Sequence, residues 1–285
     1  MAGVLCTLLV FQLPALSQSA AEVDLAADPW RKQFAVEVDR QLEVPVEDQQ
    51  RYLALLELAL MQANLTQPTP QTVETVETVE TAQVVQAVVL VDRNPNIQAA
   101  FVVLGTPGGY WSWLGASAIS TGKTGSYEHF LTPTGVFPHT LDNPDFRSEG
   151  TRNKFRIRGY GVRGLRVFDF GWQMAERGWG VGGTSQMRLQ MHATDPDRLE
   201  SRLGSVQSEG CIRISAKLNS FLDSHGILDA SYQKAIADGQ DLWVIKPNQQ
   251  TIATPGRYLV IVDSQSTERP AWADAPAAKV LITKR

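Results

Sequence analysis

Between Val84 and Val262 the chain alternates short apolar runs with Gly, Pro and Asn, and this pattern limits the fold more than any other feature of the sequence. Such runs, rich in Val, Ile and Phe and bounded by turn residues, are typical of β-strands. Residues 84–91 and 97–105, joined by a turn at 92–96, predict a hairpin. Further strands are predicted at 117–120, 155–157, 165–170, 187–192, 241–245 and 258–262. Because only residues 215–225 and 230–238 have a helical pattern here, we expect a mainly β domain, a sandwich or barrel with few helices.

The residues before Val84 show a different pattern, helical at first and then of low complexity. Residues 46–65 carry apolar side chains at a helical period, which predicts a helix that ends before the Pro-containing residues 67–70. Residues 72–80 are three tandem Thr-Val-Glu triplets, a repeat too short for a solenoid and typical of a solvated linker. We therefore expect a helical segment at 22–66, a linker at 67–83, the main domain at 84–262 and a tail at 263–285.

The first 21 residues carry no charge and contain an apolar run from Val4 to Leu16, followed by small residues. This run is shorter than the roughly 20 residues that span a bilayer, and the small residues suit cleavage before Glu22. We predict a signal peptide at 1–21 and an exported protein of the periplasm or cell envelope. Cleavage would remove Cys6 and leave Cys211 as the one thiol, which cannot form an internal disulfide.

Charge and spacing argue against several classes of partner. The formal net charge of -4 gives no long-range attraction for nucleic acid. Residues 159–164 fit the pattern G-x-G-x-x-G, but no apolar helix follows them, so we expect no nucleotide cofactor. His129, His139 and His225 lack metal-ligand spacing and are interpreted as structural. We expect no metal and no other cofactor, and the sequence leaves the oligomeric state open.

The chemistry concentrates between Met191 and Ser215, where His192 precedes Cys211 by nineteen residues. A thiol becomes a nucleophile as the thiolate, which a nearby imidazole can generate by taking the proton. Gly210 has no Cβ, so the N–H groups of Gly210 and Cys211 could approach a developing oxyanion. Spacing alone equally allows Cys211 to be a small buried hydrophobe and His192 a residue at a strand end.

Two ordered motifs resemble one known family, the L,D-transpeptidases with a YkuD-type catalytic domain. That family has a His, about fifteen residues, Ser or Thr, usually a second His, Gly, Cys, any residue, and Arg or Asn. The residues that match are His192, Ser208, Gly210, Cys211 and Arg213. Upstream, residues 120–123 (S-T-G-K) and 131–137 (L-T-P-T-G-V-F) are similar to family segments in the same order. The resemblance covers approximately residues 84–262.

The resemblance implies a YkuD-like catalytic domain that transfers acyl groups of peptidoglycan stem peptides through a thioester. Cys211 would be the nucleophile, and His192 the base, oriented by the backbone carbonyl of Ala193. Gly210 and Ser208 would belong to the oxyanion and substrate-binding region, and Arg213 could hold a substrate carboxylate. Arg213 could equally be a surface ion-pair partner.

One residue departs from the family pattern. Glu209 replaces the usual second His, and an ionised Glu accepts hydrogen bonds without donating any. Close to His192 or Cys211 it would raise their pKa values, which would alter the pH optimum or weaken the thiolate.

Three alternatives remain open. Transfer to water instead of an amine would make the chain an L,D-carboxypeptidase. A non-catalytic wall-binding module could keep the fold and stack sugars on exposed aromatic side chains, for which the candidates are Trp111, Trp113, Trp172 and Trp179. The overlapping S-x-x-K and K-T-G patterns at residues 120–125 are marks of serine penicillin-binding enzymes. Those enzymes place the serine at a helix start, whereas two glycines predict a loop here.

Overall fold

The computed structural model describes residues 19–66 and 84–273, and this part of the chain has a mixed α/β fold. The helices are α1 (Ala20–Glu37), α2 (Val46–Gln62), α3 (Ala216–Ser224) and α4 (Ala230–Ala237). The strands are β1 (Gln86–Asp92), β2 (Ala99–Gly105), β3 (Trp111–Ala118), β4 (Gly135–Pro138), β5 (Phe146–Arg147), β6 (Arg166–Glu176), β7 (Thr184–Ala193), β8 (Ile212–Ile214) and β9 (Tyr258–Val262). The prediction of a mainly β fold is therefore only loosely met, because α1 and α2 add long helices to the sheets.

The strands form two open sheets. The first has five strands in the order β3-β2-β1-β9-β4, and the second has four in the order β5-β6-β7-β8. The prediction of a barrel is wrong, because neither sheet closes on itself. Of the four edge strands, β4, β5 and β8 are only four, two and three residues long, too short to continue a ladder into a closed cylinder.

The two sheets share one hydrophobic core. A single cluster of buried side chains joins both sheets to α1 and α3, with Phe34, Phe168 and Met191 among its members. A second cluster lies between the first sheet and α2, whose Leu56 and Leu60 are fully buried. Both helices of the predicted segment 22–66 are therefore packed on the sheets, and the predicted linker at 67–83 lies outside the described residues.

Helix α1 packs against β3 through a close contact between a ring and a glycine. A Cβ added to Gly115 would lie 2.2 Å from the Phe34 ring, so only Gly allows this approach. The helix begins with a capping box in which the Ser19 hydroxyl accepts from the Glu22 N–H and the Ser19 N–H donates to the Glu22 carboxylate. The predicted cleavage point before Glu22 falls within this cap, and residues 1–18 lie outside the described part. No helix of the described residues is long and apolar enough to cross a membrane.

Most predicted elements are confirmed, and two predicted strands are wrong. Residues 155–157 form a turn, because the Asn153 side chain accepts from the N–H groups of Phe155 (2.9 Å) and Ile157 (3.1 Å). Residues 241–245 also form a turn, in which the Ile245 N–H donates to the Leu242 carbonyl over 2.9 Å and Trp243 is exposed. Apolar composition made both segments look like strands, although the local hydrogen bonds favour turns.

Some elements have other bounds than predicted, and others were not predicted. The strand predicted at 117–120 is the end of β3, which begins at Trp111. Strands β4, β5 and β8 are short and depend on pairing with distant partners, so no local pattern marks them. Helix α1 lies in the segment 22–66 that was expected to be helical, but no individual helix was predicted there, and Pro29 lies inside it.

Candidate active site

Strands β7 and β8 bring the two parts of the motif together. They pair in parallel, with Met191 opposite Ile212, His192 opposite Arg213 and Ala193 opposite Ile214. Cys211 comes one residue before β8 and lies beside β7, with its Sγ 3.6 Å from the carbonyl oxygen of Arg188. The nineteen residues between His192 and Cys211 therefore form a connection that returns the chain to the adjacent strand.

His192 is buried and held in one tautomer. Its Nδ1 lies 2.8 Å from the carbonyl oxygen of Ala193, and since a carbonyl only accepts, Nδ1 carries the proton and Nε2 keeps a free lone pair. The Tyr160 ring packs edge-on against the imidazole at 4.7 Å between centroids. Burial is the main cause that lowers the pKa of His192 to about 4, and the charge of Arg213 adds to it. At neutral pH His192 is an uncharged base.

Cys211 is half-buried and is the free cysteine of the described residues. Burial raises the pKa of its thiol to about 11, and the negative charges of Glu209 and Asp169 add to the increase. The charge of Arg213 and the backbone N–H of Gln190 act in the opposite direction. At neutral pH the thiol and the imidazole are therefore both uncharged.

The loop before Cys211 is held by its own hydrogen bonds. The Ser208 hydroxyl accepts from the Gly210 N–H at 3.1 Å and donates to the carbonyl oxygen of Cys211. The carbonyl oxygen of Gly210 accepts from the Thr132 hydroxyl at 2.7 Å. The Gly210 N–H is therefore engaged within the loop, whereas the Cys211 N–H has no acceptor among the described residues and is the better candidate for an oxyanion donor.

Gly210 is required mainly by its backbone conformation. Its φ of +135° is a backbone conformation that L side chains rarely adopt, and an added Cβ would lie 2.7 Å from the Met187 sulfur.

The upstream motif surrounds this loop. Ser120 and Arg213 exchange backbone hydrogen bonds of 2.8 Å in both directions, and Ser208 donates its N–H to the Thr121 carbonyl at 3.0 Å. An added Cβ on Gly122 would meet the Phe130 carbonyl oxygen at 1.9 Å. Ser120 is buried in this bridge and lies at no helix start, which argues against the serine-enzyme alternative.

Arg213 lies outside the cleft that contains Cys211. Its Nη1 donates to the Gln207 carbonyl at 3.2 Å, while its Nε is buried without a hydrogen-bond partner. The residue is half-buried, and its positive charge acts to lower the pKa of His192 and the pKa of Cys211.

A cleft of about 470 Å³ opens onto Cys211. Its walls carry aromatic side chains and charged groups; they include Tyr127, Glu128, Trp172, Trp179, Arg188 and Glu209. His192 does not line it. Of the candidate sugar-stacking residues, Trp172 is 61% exposed and Trp179 lies in the wall, whereas Trp111 is buried and Trp113 packs against Phe101.

A cluster of buried charged residues is linked to the site through β7. No pattern in the sequence predicted this cluster. Arg166 is fully buried and donates to Asp145 at 2.6 Å and Asp229 at 2.8 Å. Asp145 also accepts from the backbone N–H of Asp169, whose side chain binds Arg188 and the Gln190 amide. Because Arg188 and Gln190 lie beside the thiol, the cluster holds this part of β7 in place.

His139 belongs to the same cluster. Both of its ring nitrogens face acceptors, the Leu228 carbonyl and the Asp145 carboxylate, so the negative charge of Asp145 raises the pKa of His139 against the effect of burial. Its assignment as a structural residue agrees with these contacts. No group of His, Cys, Asp and Glu within residues 19–66 and 84–273 could hold a metal ion.

A comparison with models of known protein families and a search of curated proteins gave no match for this chain.

Proposed function

We propose that the chain is an L,D-transpeptidase that acts on peptidoglycan stem peptides through a thioester on Cys211. The observation that carries the proposal is a half-buried thiol at a cleft, at the start of the strand that pairs with β7, which carries a buried imidazole whose Nδ1–H donates to the Ala193 carbonyl. This is the orientation that the family resemblance implies. The same resemblance makes a YkuD-like domain the proposed fold class, with the site on β7 and β8.

The first step forms the thioester. The Cys211 sulfur attacks the carbonyl carbon at the L-centre of the stem diamino acid, and its proton passes to Nε2 of His192. The C–N bond to the terminal D-Ala then breaks, and His192 returns the proton to the departing amine. The Cys211 N–H stabilises the oxyanion during the attack.

The second step transfers the acyl group. An amine of a second stem attacks the thioester, a C–N bond forms and the C–S bond breaks. His192 carries the amine proton to the departing sulfur, which restores the free thiol. Neither step requires a metal or a cofactor, and the stem peptides place the protein in the periplasm or cell envelope.

The neutral thiol and imidazole favour a second candidate, a wall-binding module without turnover. A thiol with a pKa of about 11 is almost entirely protonated at neutral pH, and Trp172 and Trp179 offer surfaces for sugars. An L,D-carboxypeptidase would use the same thioester and differ only in its acceptor, water.

The test is incubation of the full chain with purified disaccharide-tetrapeptides, with products and intact protein followed by mass spectrometry. Cross-linked dimers with loss of D-Ala, absent with Cys211→Ala, support the transpeptidase. Tripeptide monomers alone indicate a carboxypeptidase. A folded wild-type protein that forms neither product nor thioester would refute both activities and leave the wall-binding module.

A further inference from the structure

The carboxylates of the Cys211 cleft form no direct ion pair with a cation of the described residues. Glu128 and Glu209 line the cleft and are exposed, and neither forms an ion pair with another of the described residues. Arg188, the cation of the cleft wall, is already bound by Asp169 through contacts of 2.9 Å and 3.1 Å. Arg177 lies over the Trp179 ring at 6.0 Å, and Arg213, whose charge interacts with Glu209, lies outside the cleft. The unpaired charge that faces the cleft is therefore negative.

The aromatic side chains give the cleft an apolar surface beside these carboxylates. Tyr127 is 75% exposed and packs edge-on against Trp179, with 5.7 Å between centroids. Trp172 is exposed on the same wall. A carboxylate next to aromatic faces suits an organic ammonium group on an aliphatic chain, because the charge pairs with the carboxylate and the methylene groups pack on the rings.

We propose that this cleft binds the ammonium-bearing acceptor and that Glu209 is a specificity-determining residue, which directs the acyl group to an amine rather than to water. The inference rests on the proposed function. The donor stem brings the carboxylate of its terminal D-Ala next to the scissile bond, where two unpaired carboxylates would repel it, whereas the acceptor must bring its amine to the thioester carbon. Charge complementarity thus assigns the cleft to the acceptor, and it gives Glu209 a role at the position where the family that the chain resembles usually has a His.

The proton balance of the transfer is simple. The acceptor arrives as an ammonium ion held by Glu209, and it must lose one proton to the carboxylate or to solvent before its nitrogen can attack. The attack then forms the C–N bond and breaks the C–S bond. The second proton passes from nitrogen through His192 to the Cys211 sulfur.

The first experiment measures binding without turnover. The probe is Nα-acetyl-lysine methylamide, with one ammonium and no carboxylate, and its control is Nα-acetyl-norleucine methylamide. Binding is followed by the indole N–H resonances of Trp172 and Trp179. We expect the lysine probe to bind more tightly than the norleucine control, and Glu209→Gln and Glu128→Gln each to weaken it by about two- to fivefold, the size of an exposed ion pair. The matched control, Glu268→Gln, removes an exposed carboxylate away from the cleft and should leave binding unchanged.

The second experiment measures the partition of the Cys211 thioester between amine and water. The ratio is independent of how fast the thioester forms, so it is unaffected by the influence of Glu209 on the thiol. Glu209→Gln should lower the aminolysis ratio for the lysine probe by about two- to fivefold. It should not lower the ratio for hydroxylamine, which is uncharged at neutral pH.

The outcomes separate this inference from the proposed function. Equal binding of the lysine and norleucine probes, or binding of the lysine probe that Glu209→Gln and Glu128→Gln leave unchanged, overturns the ammonium site even if the enzyme is active. Binding that depends on Glu209 and Glu128 in a protein that never forms a thioester keeps the cation site and refutes the transpeptidase. If the Cys211 thioester forms and Glu209→Gln leaves its partition between the lysine probe and water unchanged, Glu209 does not determine specificity.

Discussion

His192 donates its Nδ1–H to the carbonyl oxygen of the next residue, Ala193, over 2.8 Å. The contact leaves Nε2 as an acceptor without the help of a carboxylate. Burial keeps the imidazole uncharged at neutral pH, as the proposed transfer of the Cys211 proton requires. His192 therefore depends on the backbone of β7 for its orientation.

Replacement of His192 tests this role. We expect His192→Gln to reduce the rate of thioester formation by about 10²- to 10⁴-fold, the size usual for a general base. The rate is measured as release of D-Ala in a single turnover. His225→Gln is the matched control, since His225 binds Glu37 at the end of α1 and takes no part in the proposed reaction. A wild-type rate in a folded His192→Gln protein would remove His192 from the mechanism.

The raised pKa of the Cys211 thiol predicts its alkylation profile. With a pKa of about 11, the rate of reaction with iodoacetamide should rise about tenfold per pH unit from pH 7 to pH 10, because the thiolate is the reacting form. The rate is read from the intact mass of the protein, with Cys211→Ala as the blank. A plateau near neutral pH would instead indicate a thiolate–imidazolium pair.

The sequence predicted the members of the site better than their surroundings. His192, Ser208, Gly210 and Cys211 lie in one segment, and the parallel pairing of β7 with β8 brings its two ends together. Tyr160 and Asp169 reach the same place from elsewhere in the chain, and their contacts depend on the packing of β6 and β7. No spacing in the sequence encodes such contacts.

In the fold, too, elements marked by their own sequence were predicted better than elements set by distant contacts. Strands β1, β2 and β9 are buried along most or all of their length and were predicted as apolar runs. Strand β8 has three residues, and its position is set by pairing with β7 rather than by its own composition. In α1 the apolar residues Val23, Ala27 and Phe34 follow a helical period, but the internal Pro29 obscured it.

Gly210 should be essential for the shape of the nucleophile loop. Gly210→Ala forces a side chain into a φ of +135° and against Met187, and we expect a loss of about 1–3 kcal/mol of stability. Thioester formation should fall at least tenfold, since the displaced loop carries Cys211. Gly180→Ala is the control, because Gly180 also has a positive φ, +60°, but nothing lies within 4 Å of an added Cβ. Equal activity of the two variants would contradict the requirement at Gly210.

Helix α1 should contribute to the stability of the whole domain. Phe34 is 1% exposed and packs against Phe221 with 5.2 Å between ring centroids, so Phe34→Ala should cost about 3–5 kcal/mol. Leu25→Ala in the same helix removes a side chain that is 75% exposed and should change stability by less than about 0.5 kcal/mol. Both are measured by urea unfolding. A small effect of Phe34→Ala would show that α1 folds apart from the sheets.

The lowered pKa of His192 predicts how stability depends on pH. The unfolded chain binds a proton at this residue with a pKa near 6.5, the folded chain only at about 4. Between these values the unfolded state takes up the proton preferentially, so the contribution of His192 is complete above pH 6.5 and is lost as the pH falls towards 4. The total is about 3 kcal/mol, from about 1.4 kcal/mol per pKa unit. The free energy of unfolding, measured in urea at pH 7 and pH 4.5, should therefore fall further for the wild type than for His192→Gln. An equal decrease in the free energy of unfolding for the two proteins would mean that the folded protein can protonate His192 as readily as the unfolded chain does.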